Sequence, residues 1–127
     1  MNIVFKIALS AMLVMPILGT LGVFPPPTPD LYNTPQAFEF IQILMATKYI
    51  NAIMAVVFSL SLVFLWTGRV ALAALLILPI TINIVAFHLV LDGGLFTAGA
   101  IMGNVLFIIN MYFLWQQKSR YSQLFSK

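Results

Sequence analysis

The segment from Val70 to Leu91 reads VALAALLILPITINIVAFHLVL and decides the class of fold. It contains no Asp, Glu, Lys or Arg, and as a helix it would be about 33 Å long, enough to cross the hydrocarbon core of a bilayer. The whole chain is 62% hydrophobic and 7% charged, whereas a soluble domain carries about 25% charged residues. We therefore expect an integral membrane protein whose main surroundings are the lipid bilayer.

Three further apolar runs bring the expected number of spans to four within a single transmembrane domain, residues 1–127. Each span is expected to be a helix, because a helix satisfies its own backbone polar groups in hydrocarbon. Consecutive spans alternate in direction, and the sequence therefore predicts an all-α bundle of four transmembrane helices. A secretory signal peptide is the alternative for the first run, but that run is longer than the apolar core of a usual signal peptide, about 7–15 residues. The expected spans are 3–24, 50–66, 70–91 and 96–115, followed by a cytoplasmic tail at 116–127.

The segment between the first two spans predicts a loop and an extra helix. The prolines of Pro25–Pro35 fix φ and favour a stiff, extended loop. A short helix is expected at 35–46, lying at the membrane surface or tucked into the mouth of the bundle, because it carries a narrow polar stripe. The residues Thr47–Tyr49 are the predicted bend between this helix and the second span.

The charges predict an orientation in the membrane. If the four spans alternate, every cation except Lys48 lies on one side and all three acids lie on the other. The positive-inside rule then places both termini in the cytoplasm. We expect Lys48 to reach the headgroups or to pair with Glu39 or Asp92. Orientation accounts for the net charge of +3, so no nucleic-acid partner is expected.

Polar residues in the third span are the candidates for ligand binding. Thr81, His88 and Asp92 share one helical face, while Asn83 lies on another. One interpretation is a pair at His88 and Asp92 that handles protons or contacts a quinone ring, because imidazole changes its charge near neutral pH. The other is structural: His88 hydrogen-bonds a neighbouring helix and Asp92 caps the following loop. The residues alone favour the structural interpretation.

The fourth span carries a GxxxG pattern at Gly99 and Gly103, and Asn110 continues the same face. Small residues allow close approach of helices, so we assign these three residues to helix packing. Cysteine is absent, which excludes disulfides and cysteine-ligated clusters. One histidine and three acids show no spacing typical of a metal site, so none is expected.

The third span also carries a more specific pattern. Its segments Ala71–Ala73, Leu78–Ile84 and Ala86–Leu89 resemble the signature of the DoxX-like family of small bacterial four-span membrane proteins. The Thr47–Tyr49 segment is similar to the family's TGY motif, with Lys48 in place of the glycine. The acid that the family usually carries in the second span is missing, since Val56–Phe58 contains none.

The resemblance implies a location in the bacterial cytoplasmic (inner) membrane and, for some members, association with quinone-linked redox complexes. The expected function is therefore a non-catalytic subunit or scaffold of such a complex, with membrane or redox proteins as partners. Two alternatives stay open: a quinone-binding oxidoreductase in its own right, and a small transporter or channel component. No catalytic residue is identified, and quinone is the only cofactor suggested.

Overall fold

The computed structural model describes residues 2–126, so Lys127, one of the cations used to predict orientation, lies outside the described residues. The described chain is all-α. Three of its helices, α1, α3 and α4, are long and apolar enough to cross a membrane, and α5 is a shorter apolar helix. The six α-helices are α1 (Ile3–Thr20), α2 (Pro35–Thr47), α3 (Tyr49–Trp66), α4 (Val70–Val90), α5 (Ala100–Gln116) and α6 (Lys118–Phe125), with a 3₁₀ turn at Pro29–Leu31.

Contacts near the helix ends show that α1 and α3 run antiparallel. At one end of the bundle, Nε1 of Trp66 donates a hydrogen bond to Oγ of Ser10 at 3.0 Å. At the other end, the Thr20 hydroxyl donates to the backbone oxygen of Asn51 at 3.4 Å. A short turn, residues 67–69, then joins α3 to α4. Consecutive long helices therefore alternate in direction.

The core lies between α1, α3, α4 and α5 and consists mainly of apolar side chains. The outward faces are apolar as well, with many exposed Leu, Ile and Val side chains. A helix that is apolar on all sides is suited to surroundings of lipid or protein. The largest fully buried apolar side chains are Leu9, Leu13, Phe58, Leu65, Ile77 and Phe113.

Two helices are shorter than the sequence predicts. α1 ends at Thr20 and does not reach Phe24, because Gly22 adopts a left-handed conformation (φ 77°) and prolines follow. α5 begins at Ala100, whereas the predicted span begins at residue 96. The preceding segment turns sharply at Gly93 (φ 84°), so part of the predicted span is loop.

The segment predicted as a tail contains α6, which packs back onto the bundle. The Tyr121 hydroxyl donates to the backbone oxygen of Ala71 at 2.8 Å, at the start of α4. Burial raises the pKa of the Tyr121 phenol. At the same end of the bundle, Nζ of Lys6 lies 5.3 Å from the ring centroid of Trp66. We call this the basic end of the bundle.

Helices α2 and α3 are separated by one residue, Lys48, within the segment where the sequence predicts a bend. Lys48 adopts the left-handed conformation (φ 60°, ψ −13°), and its N–H donates to the Leu44 oxygen at 3.1 Å. Its side chain is exposed, and within residues 2–126 it pairs with neither Glu39 nor Asp92. The ion pair, one of the two expectations for Lys48, is therefore not formed, and Asp92 is buried among other partners.

We predict that Lys48→Gly stabilises the protein in detergent by about 0.5–1 kcal/mol. An L-residue pays about 1–2 kcal/mol in the left-handed conformation, and the greater freedom of glycine in the unfolded chain offsets part of the gain. Unfolding of the purified protein in a denaturing detergent measures the change. The control, Ala46→Gly within α2, should lose about 1 kcal/mol. Equal destabilisation by both substitutions would contradict the prediction.

Candidate functional site

A cleft of about 750 Å³ lies between α2, the first half of α3 and the second half of α4. It lies at the end of the bundle opposite the basic end. Most of its wall is apolar, and the rim residues Phe40, Met45 and Ile53 are exposed. Clefts of this size and polarity typically hold small organic ligands.

Three polar side chains face this apolar cleft without a full set of protein partners. The amides of Asn51 and Asn83 line it, and neither takes part in a side-chain hydrogen bond among the described residues. His88 also lines the cleft, and only its Nδ1 is hydrogen-bonded there. The two amides and Nε2 of His88 therefore have no hydrogen-bond partner among the described residues.

Asp92, two residues after the end of α4, connects three parts of the site. Its side chain is 1% exposed. One carboxylate oxygen, Oδ1, accepts the backbone N–H of Asn33 at 2.8 Å, and the other, Oδ2, lies 2.9 Å from Nδ1 of His88. The Asn33 amide returns a hydrogen bond to the Asp92 backbone oxygen at 3.2 Å. Asp92 therefore joins the loop before α2 to α4 and orients the imidazole.

Thr34 makes a second connection between this loop and α4. As the N-cap of α2, its hydroxyl oxygen accepts the Ala37 N–H at 3.2 Å, and the same hydroxyl donates to the Leu91 oxygen. Further along α2, the Phe40 ring stacks on Phe87 with centroids 5.8 Å apart. These contacts hold α2 beside the second half of α4 and so form one side of the cleft.

The other side of the His88 ring packs against α5. A Cβ atom at Gly99 would lie 3.7 Å from Cε1 of His88 and 3.5 Å from Oδ2 of Asp92. At Gly103, a Cβ would lie 3.5 Å from Cδ2 of His88 but only 2.7 Å from Cγ2 of Ile84. The two glycines thus allow close approach of α5 to α4 and leave room for the imidazole.

Thr81 is not part of the cleft. It is fully buried, and its hydroxyl accepts from the amide of Asn110 on α5 at 3.2 Å. The face shared by Thr81 and His88 points towards α5, and only His88, at the border of that face, reaches the cleft. Of the four candidate ligand-binding residues, the structure brings Asn83, His88 and Asp92 to the cleft and places Thr81 in the helix interface.

Several residues of the site have no signal in the sequence. Nothing in the sequence around Asn33 distinguishes it from other loop residues. Its contact with Asp92 joins residues that are 59 positions apart in the chain. Tyr32 lines the cleft and contacts Phe87 edge-on, with centroids 6.4 Å apart. Within residues 2–126, no group of three or more His, Asp or Glu is placed to hold a metal ion.

We predict that Gly103→Ala destabilises the protein by about 1 kcal/mol, measured by unfolding in detergent. Overpacking against Ile84 costs about 1–3 kcal/mol, and the better helix propensity of alanine returns about 1 kcal/mol. Gly99→Ala is the matched control, because its Cβ meets only ordinary contacts. If both variants were as stable as the wild type, the close approach of Gly103 to Ile84 would be contradicted.

The Tyr32 phenol provides a test of the geometry around Asp92. Burial, and secondly the negative charge of Asp92, raise the pKa of Tyr32 above 10.0. Its contribution to stability is therefore complete below pH 10 and is lost as the pH rises through the raised pKa. In Asp92→Asn the charge is removed, so we predict that this pKa falls but stays above 10.0 because burial remains.

Tyrosinate absorbance during an alkaline titration measures this pKa, after subtraction of the corresponding Tyr32→Phe titration. The comparison is made in the wild-type and the Asp92→Asn backgrounds. A midpoint that does not change between the two backgrounds would contradict the proximity of Asp92 to the Tyr32 ring.

No protein-family model, curated protein or solved structure matches this chain. The similarity of the third span to the DoxX-like signature therefore stays an expectation from the sequence. The cleft and its polar groups are the observations from which a function can be inferred.

Proposed function

We propose that this chain is a four-span integral membrane protein whose cleft binds a lipid-soluble molecule with a polar head group. The observation that carries the proposal is the set of hydrogen-bonding groups, on Asn51, Asn83 and His88, that face an apolar cleft without protein partners. A polar group without a partner is costly in hydrocarbon. A ligand that bonds these groups and fills the apolar wall would therefore gain affinity from both.

The proposed spans are α1, α3, α4 and α5. The helix α5 has 17 residues, about 26 Å, which is slightly shorter than a typical hydrocarbon core. Small mismatches of this kind are accommodated by local thinning of the bilayer. The antiparallel packing of α5 on α4 supports its assignment as a span, because His88 lies near Gly103 while Thr81 lies near Asn110.

We propose that the basic end of the bundle faces the cytoplasm, with both termini on that side. The positive-inside rule supports this orientation. The resemblance to the DoxX-like family supports a location in the bacterial inner membrane. The cations carried by the described part of this end are Lys6, Arg69, Lys118 and Arg120.

We propose that the ligand is a molecule of the quinone class. A ring with oxygen substituents matches the polar groups, and an apolar tail matches the wall and the exposed rim at Ile53. The chain contains no cysteine, so its own side chains supply no thiol redox couple. We therefore propose that it serves as a quinone-binding component of a redox system in which a partner protein supplies the electron transfer.

The cleft favours this function over a scaffold without a ligand and over a transporter. A scaffold without a ligand gives no reason for polar groups to be left without partners in an apolar cleft. A transporter would need a polar path through the bundle, but apolar core residues occupy the half that includes the basic end. Three of these, Leu9, Leu65 and Phe113, are fully buried.

The experiment measures binding of a photoreactive quinone analogue to the purified protein in lipid nanodiscs. We predict saturable binding by the wild type and about tenfold weaker binding by His88→Ala, because one hydrogen bond to the head group is lost. Thr81→Val is the matched control on the same helix, and it should bind as the wild type does. Absence of saturable binding by the wild type, or equal loss in both variants, would refute the proposal.

A further inference from the structure

We infer that the cleft selects head groups that donate a hydrogen bond over head groups that only accept one. The preferred ligand is then a lipid-soluble molecule with a ring hydroxyl, such as a quinol, and the corresponding quinone binds more weakly. The inference builds on the proposed function, because it concerns the ligand of the same cleft. It follows from the hydrogen bonds that fix the His88 ring.

The first step is the orientation of the Asp92 carboxylate. A backbone N–H can only donate, so the Asn33 N–H at 2.8 Å requires Oδ1 to be an acceptor. Oδ2 is then the atom that faces Nδ1 of His88, at 2.9 Å. A carboxylate oxygen has no hydrogen to donate. The hydrogen between Oδ2 and Nδ1 must therefore come from the imidazole.

The second step is the tautomer of His88. A neutral imidazole carries one ring hydrogen, and a carboxylate partner on one nitrogen determines which nitrogen holds it. With the hydrogen on Nδ1, Nε2 has a free lone pair and can only accept. Among the described residues no donor reaches Nε2. A Cβ atom at Gly103 on α5 would lie 3.8 Å from Nε2, and glycine leaves that space open.

The third step is the consequence for a ligand. A hydroxyl near Nε2 would donate to the lone pair, whereas a carbonyl oxygen would place its own lone pairs against it and leave both groups without a partner. A site built to bond one kind of group rejects an analogue that lacks it more strongly than it rejects a small change of size. The amides of Asn51 and Asn83 can donate and accept, so they do not discriminate. Selection therefore depends on His88.

The experiment compares a decyl-substituted benzoquinone with its quinol, bound by the full chain in nanodiscs without oxygen at pH 8. We expect the wild type to bind the quinol about tenfold more tightly than the quinone. In His88→Phe this preference should be absent. Because the lipid is the same for both proteins, any preference that remains in His88→Phe measures the difference in how the two forms enter the lipid.

Asp92→Asn should reverse the preference. The Asn33 N–H still requires an acceptor, so the amide oxygen takes the place of Oδ1 and the NH₂ group faces Nδ1 of His88. Nδ1 then becomes an acceptor, the ring hydrogen moves to Nε2, and the carbonyl form binds more tightly. Asn83→Leu is the control, because it should weaken both forms to the same extent.

The tautomer can also be measured directly. The chain has one histidine, so ¹⁵N-histidine labelling gives signals from the His88 ring alone, and protonated and unprotonated ring nitrogens resonate far apart. We expect the hydrogen on Nδ1 in the wild type and on Nε2 in Asp92→Asn. This spectrum is read without any ligand.

The outcomes separate the inference from the proposed function. Equal affinity of the wild type for both forms, or a ring hydrogen on Nε2, would overturn the inference. If binding were still saturable, the proposed function would be unaffected. Failure of both forms to bind would overturn the proposed function, and the inference with it. If Asp92→Asn does not fold, the comparison of wild type with His88→Phe still decides the question.

Discussion

The buried carboxylate of Asp92 determines how the loop before α2, the C-terminal end of α4 and the His88 imidazole are arranged. Burying a charge costs several kcal/mol unless hydrogen bonds replace the lost water. Here one oxygen of Asp92 is bonded by the backbone of Asn33 and the other by His88. Since Thr34 caps α2 one residue after Asn33, the position of α2 follows from the same group. The cleft exists because α2 is held beside α4 and does not lie free on the membrane surface.

The structural and functional interpretations of His88 and Asp92 are therefore not exclusive. Asp92 has a structural role in the folded chain, because it joins two segments that are distant in sequence. His88 uses one nitrogen in that arrangement and directs the rest of its ring along the cleft and α5. A structural carboxylate thereby orients an imidazole whose second nitrogen has no hydrogen-bond partner among the described residues.

The helices could be predicted from the sequence because the relevant signals are local. Long apolar runs predict α3 and α4, and the sequence Thr34-Pro35 gives the start of α2 through its cap and the fixed φ of proline. The cleft could not be predicted in this way. It depends on where α2 lies relative to α4, and no periodicity within either helix encodes that distance. The spacing of Thr81 and His88 likewise predicts a shared face but not that the face is directed towards α5.

The sequence also departs from the DoxX-like pattern at two places, and the structure gives each a physical meaning. At Lys48 the backbone is left-handed, the conformation in which glycine is favoured, so the lysine affects the stability of the bend and lies outside the cleft.

The missing acid concerns Val56–Phe58 in α3. None of these residues lines the cleft: Phe58 is buried in the core, Val57 packs against the core, and Val56 is exposed on the outside. An acid at this level would therefore act in the bundle interior or at the lipid surface. Its absence leaves the polar groups of the cleft unchanged, so the proposed ligand recognition depends on His88 and on the amides of Asn51 and Asn83.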